Sequence, residues 1–71
     1  MFIELITQKG EKATVRIKDV NVIKVEKIKS GYYCRFLIDS YELYYDKEFN
    51  AYDKAIDFIK NILKKENLLC N

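Results

Sequence analysis

The chain has no histidine and no proline, and among its 71 residues are only two glycines and two cysteines. Without histidine it lacks the side chain that ordinarily gains and loses a proton near neutrality, and it lacks imidazole for zinc. Ser30 and Ser40 are its only serines, no glycine-rich phosphate loop occurs, and no nucleophile stands in a pattern with a base. The acids Asp39, Glu42, Asp46 and Glu48 cluster in sequence. However, Asp39 falls in a turn and the others alternate along a solvated strand, without the burial that separates carboxylate pKa values for acid–base work. No catalytic residue, metal or cofactor is assigned, and an enzyme is not expected.

Cys34 lies in an apolar strand, where a free thiol behaves as a small hydrophobe. Cys70 sits one residue from the C-terminus. With no paired cysteine spacing, neither a zinc site nor a disulfide is expected. Long apolar runs are also missing, because charges interrupt every stretch before it reaches the ~20 residues of a membrane span. The opening MFIELITQKG has no basic start, long apolar core or small-residue cleavage site, so no signal peptide and no membrane partner are expected. The expected location is cytoplasmic.

A strong charge excess is absent too. The net charge is +2, divided as +3 over residues 1–30, −2 over 31–50 and +1 over 51–71. A dedicated nucleic-acid binder carries a more concentrated basic stripe.

What is present is a globular composition, 49% hydrophobic and 34% charged, in a single domain spanning 1–71. That length is close to the size below which domains need a staple or a partner. Residues 31–49, GYYCRFLIDSYELYYDKEF, hold five of the six tyrosines, and strand periodicity sorts them.

The sheet is expected within residues 1–46. The first strand, MFIELIT, ends near Gly10. The second, KATVRIK (12–18), alternates Ala13, Val15 and Ile17 against Lys12, Thr14, Arg16 and Lys18. A turn at Asp19-Val20-Asn21 leads to VIKVEKI (22–28), and Lys29-Ser30-Gly31 forms the next turn. A two-residue loop at Asp39-Ser40 then sets Ile38 opposite Tyr41, Phe36 opposite Leu43 and Cys34 opposite Tyr45. These six go to the core, with Tyr32 at its edge. Leu37 with Glu42, Arg35 with Tyr44, and Tyr33 with Asp46 share the other face.

A helix is expected over about 50–66, with Asn50 as N-cap and Asp53 completing a capping box. Its apolar stripe is Tyr52, Ala55, Ile56, Ile59, Ile62 and Leu63, with Phe58 at the margin and Phe49 stapling the first turn. Residues 67–71 form a frayed tail, with docking of Leu68 and Leu69 on the sheet as the alternative. The fold class is α+β, β-β-β-β-β-α: a five-stranded antiparallel sheet, or a small SH3-like barrel, with one C-terminal helix on one face. A closed barrel buries Phe2, Ile6 and Leu37 in a second core, whereas an open sheet leaves them at the surface.

The face away from the helix carries the candidate site. Tyr33, Arg35 and Tyr44 are its first members, because arginine and tyrosine are favoured at interface hot spots and the fold does not need their burial. Arg16, Lys18 and Lys24 lie on the same face and, with Arg35, are the residues that would meet phosphates while the tyrosines stack on bases. Glu4, Glu26, Glu42 and Asp46 on that surface oppose a phosphate backbone.

KGEKATVRIKDVNVIKV (9–25), with Gly10, Val15, Ile17, Val20 and Ile23 in step, resembles the early half of the small crenarchaeal chromatin proteins. That resemblance implies an SH3-like barrel binding DNA through a three-stranded face, although the later half here has no glycine-rich turn and no basic excess. MFIELIT, the Lys-Gly turn, the second hairpin and the short helix resemble small flagellar motor-support proteins and their phage-encoded look-alikes. In kind, a compact domain without catalytic residues is similar to phage anti-defence inhibitors of the anti-CRISPR type. The expectation is a binding module that occupies a partner protein's surface, in the manner of a phage-type inhibitor of a host defence or other host machine. A small nucleic-acid-binding barrel is the alternative, and a homodimer through the sheet face or an edge strand is the third possibility.

Overall fold

Alternation along the first forty-four residues builds five strands, and the computed structural model describes residues 1–67 of the chain. The strands are β1 (Phe2–Thr7), β2 (Lys12–Arg16), β3 (Val22–Ile28), β4 (Gly31–Ile38) and β5 (Tyr41–Tyr44), followed by α1 (Tyr52–Lys65). They form one antiparallel sheet in the order β2-β1-β5-β4-β3. This is the expected β-β-β-β-β-α architecture in its open form. The sheet does not close into a barrel, and Phe2 is 66% exposed instead of buried in a second core.

The β4–β5 register agrees with the reading of the Asp39-Ser40 loop: Ile38 faces Tyr41, Leu37 faces Glu42, Phe36 faces Leu43 and Arg35 faces Tyr44. Asp39 turns the chain at φ 53°, a conformation that aspartate tolerates better than most residues, and its N–H donates to Asn21 Oδ1 at 2.6 Å. The expected Tyr33–Asp46 pair does not form. Residues 46–48 form a bulge outside the ladder, and the chain returns at Phe49, which exchanges two 2.8 Å backbone hydrogen bonds with Tyr32. Gly31 permits that return. At its φ of 152°, a Cβ would collide with the Phe49 carbonyl oxygen.

The second strand stops at Arg16, two residues earlier than expected, and Ile17–Asp19 form a turn of 3₁₀ helix. That turn drives Ile17 into the core and takes Lys18 out of the strand alternation. The helix also starts later than expected. Ala51, not Asn50, is the N-cap and makes no side-chain cap, so the proposed capping box is absent. Asp53 near its start and Lys64 and Lys65 near its end still match the helix dipole. Asn67 takes a left-handed φ of 59° and donates to the Lys64 carbonyl at 3.0 Å, closing the helix as a C′ residue does. The tail beyond it, with Leu68, Leu69 and Cys70, lies outside the described residues.

The core is Leu5, Ile17, Cys34, Phe36, Leu43, Ala55 and Ile62; fully burying a side chain the size of Leu5 or Phe36 contributes roughly 1.5–3 kcal/mol. The helix rests on β3 and β4. Its packed stripe is Ala55, Phe58, Ile59 and Ile62. Phe58, expected at the margin, stacks on Tyr45 at 4.3 Å and meets Phe49 at 5.3 Å. Tyr52, expected in the stripe, is exposed and meets Tyr32 edge-on. Tyr41 is a further correction. It shares the helix-side face with Leu43 yet is 71% exposed, because β5 begins there, beyond the reach of a helix seated over β3 and β4. Instead it lines a shallow groove of about 510 Å³ with Thr7, Gln8 and Leu43. No helix among the described residues is long and apolar enough to cross a membrane.

Candidate functional site

With α1 occupying one side of the sheet, nothing among the described residues covers the other side. Registers fix what stands on it, because directly opposed residues in a ladder point the same way. One row crosses all five strands: Lys12 (β2), Ile6 (β1), Tyr44 (β5), Arg35 (β4) and Lys24 (β3). Beside it run Glu42, Leu37 and Val22 on one flank, and Tyr33 with Glu26 on the other.

Arg35 is the hub of this surface. Its Nη2 donates to Glu26 Oε2 at 2.9 Å and to the Tyr33 hydroxyl at 3.1 Å, and its Nη1 stands 3.7 Å from Glu42 Oε1. The Tyr33 hydroxyl donates to Glu26 Oε2 at 2.8 Å. Tyr44 donates to Glu42 Oε2 at 3.4 Å, and Gln8 Nε2 donates to the same oxygen at 3.2 Å. The guanidinium carbon lies 5.6 Å from the Tyr44 ring centroid, within cation–π range, and the rings of Tyr33 and Tyr44 are 5.5 Å apart. The Tyr33 hydroxyl is the main influence holding the Arg35 pKa above its ordinary value; partial burial opposes it, and the Glu26 charge adds to the rise. The side chain of Arg35 is only 21% exposed, and its Nε is buried without a hydrogen-bond partner among the described residues.

Three of the six candidate residues, Tyr33, Arg35 and Tyr44, are thus in mutual contact. Lys24 adjoins them as the cross-strand neighbour of Arg35. Arg16 does not. It faces Phe2 at the far end of β2, four residues and about 13 Å along the strand from the central row, and is held by Asp19 at 3.3 Å. Lys18 belongs to the 3₁₀ turn and not to the sheet face.

Glu26, Glu42 and Gln8 were not among the candidates, although they organise the site. The signal was available for the two acids: each lies on the same face as Arg35, one diagonal step away across its ladder, the separation at which long side chains meet. Gln8 follows the last residue of β1, and only the β1–β5 pairing brings it near Glu42.

The chain matches no family model, no curated protein and no solved structure. Its class is defined by the fold and this face: a small α+β domain with a helix-covered sheet side and an uncovered side organised around one arginine.

Proposed function

We propose that the chain is a protein-binding module whose contact surface is the uncovered sheet face, centred on Tyr33, Arg35 and Tyr44. The observation that carries this reading is the ordered lattice linking those residues to Glu26 and Glu42. Side chains already held in place lose little rotamer freedom on contact, so more of their interaction free energy remains as affinity. Exposed Val22 flanks the lattice with apolar surface, and exposed Phe2 adds more at the far end of the same face, as an interface with polar and apolar elements requires.

The inhibitor form of this reading draws its support from size: a 71-residue domain acts on a larger machine by covering part of its surface. The ion pairs weigh against the nucleic-acid alternative. Glu26 and Glu42 more than neutralise Arg35, Asp19 holds Arg16, and Glu4 stands 3.7 Å from Lys12, so of the basic residues on that sheet face only Lys24 is without an ion pair among the described residues, too few for a phosphate-binding surface.

Affinity capture from a candidate host lysate tests the reading. Tyr44→Ala and Arg35→Ala are expected to stay folded and to lose a partner that the wild type retains. Retention of that partner by both variants sinks the assigned face. Salt-sensitive binding to generic duplex or single-stranded DNA, lost on charge reversal at Arg16 and Arg35, establishes the nucleic-acid alternative instead.

A further inference from the structure

We propose that the outer edge of β3 is a strand-addition site for an extended acidic segment of the partner, an inference that rests on the protein-binding reading above. β3 is the last strand of the sheet, and among the described residues nothing but β4 pairs with it. It runs for seven residues without proline and without a positive-φ residue to twist the edge away. Such an edge presents a row of open backbone donors and acceptors, the surface used when a peptide adds to a sheet.

Side chains select the occupant. Lys24 and Lys27 are exposed and make no ion pair among the described residues, and Lys29 follows in the turn. Alternation puts Lys24 on the open face and Lys27 on the helix side, so the edge is basic on both faces of the sheet. Glu26, the strand's one acid, is turned inward and spent on Arg35 and Tyr33. The opposite edge differs. β2 is five residues long, with Lys12 near Glu4 and Arg16 held by Asp19.

A second copy is a poor occupant of β3, because pairing two such edges gathers four lysines in one seam, and like charges across a ladder are destabilising. An acidic strand has the reverse effect. Lys24 ends the row Lys12–Ile6–Tyr44–Arg35–Lys24, so an added strand widens the open face by one place, with its acid opposite Lys24. Val22, 44% exposed, offers an apolar contact at the start of the same edge.

The test is amide NMR of the intact protein, titrated with an eight-residue valine/threonine peptide carrying two glutamates three places apart, one for each face, and, separately, with its lysine-for-glutamate counterpart. The acidic peptide is expected to shift and slow the exchange of the β3 amides not bonded to β4. The double variant Lys24→Glu/Lys27→Glu is expected to bind it about tenfold more weakly or worse, with β1 and β2 resonances unchanged as the check on folding. Unprotected β3 amides, equal binding of the lysine peptide, or a dimer assembled through β3 each overturn the inference. If Arg35→Ala and Tyr44→Ala abolish partner capture while the peptide leaves β3 unprotected, the face assignment stands and the edge fails. The reverse pattern removes the face and leaves the edge.

Discussion

Arg35 passes over Lys24, its direct cross-strand neighbour, and reaches diagonally to Glu26, whose carboxylate it meets at 2.9 Å. The diagonal is set by charge: the facing residue is a like cation, and the nearest acid on that face lies two residues further along β3. This contact turns an arginine and two tyrosines into an ordered surface.

Its strength is measurable. Glu26→Gln is expected to cost about 1 kcal/mol, the net scale of one hydrogen-bonded, partly exposed ion pair. A urea-unfolding double-mutant cycle with Arg35→Met should return a coupling of about 0.5–1 kcal/mol. A coupling indistinguishable from zero means that Arg35 is not organised by Glu26.

Glycine positions 10 and 31 should respond very differently to alanine. Gly10 has a φ of 85° and open space around its Cβ position, so Gly10→Ala is expected to cost about 1 kcal/mol of backbone strain. Gly31→Ala adds a collision with the Phe49 carbonyl and should cost about 3 kcal/mol or more. It should also remove the near-ultraviolet signal of the Tyr45–Phe49–Phe58 cluster. Similar unfolding midpoints for the two variants contradict this account.

Tyrosines 41 and 45 provide a third comparison, since they share a face but not an environment. Tyr41→Ser is expected to change stability by no more than about 0.5 kcal/mol, as exposed substitutions do. Tyr45→Ala removes the ring stacked 4.3 Å from Phe58 and should cost about 2–4 kcal/mol. Thermal unfolding of the two variants decides it.

Burial pushes the Cys34 thiol up from 9.0 to about 11. The folded state therefore keeps its proton where the unfolded chain has lost it. The resulting stabilisation is complete below pH 9 and disappears as the pH rises to about 11, a loss of roughly 2–3 kcal/mol. Comparison with Cys34→Ala across pH 8–11 isolates the thiol from the tyrosines, and the two stability curves should converge with rising pH. In a Cys70→Ser background, native Cys34 should resist thiol reagents at pH 8.

How much was legible in the sequence varied with the range of the interaction. Which residues form strands, which face each side chain takes and the register across Asp39-Ser40 were readable, because strand alternation and a two-residue loop are local constraints. The contact among Tyr33, Arg35 and Tyr44 followed from that register. Three local details escaped: the early end of β2, the shift of the N-cap to Ala51 and the bulge at 46–48. The first and the last are decided by what a segment packs against: the end of β2 by the place of Ile17 in the core, and the bulge by the Tyr32–Phe49 bridge over Gly31.

The sequence by itself determined a five-strand, one-helix chain with a polar–aromatic face, because side-chain periodicity needs only neighbours along the chain. Tertiary structure decided that the sheet stays open, that β1 lies beside β5, and that Arg35 is engaged by Glu26 and Glu42. It also decided that Tyr41 is exposed. Those outcomes depend on pairings between segments distant in sequence, on where the helix is seated over the sheet, and on the choice of a diagonal acid over a facing lysine, none of which a local pattern encodes.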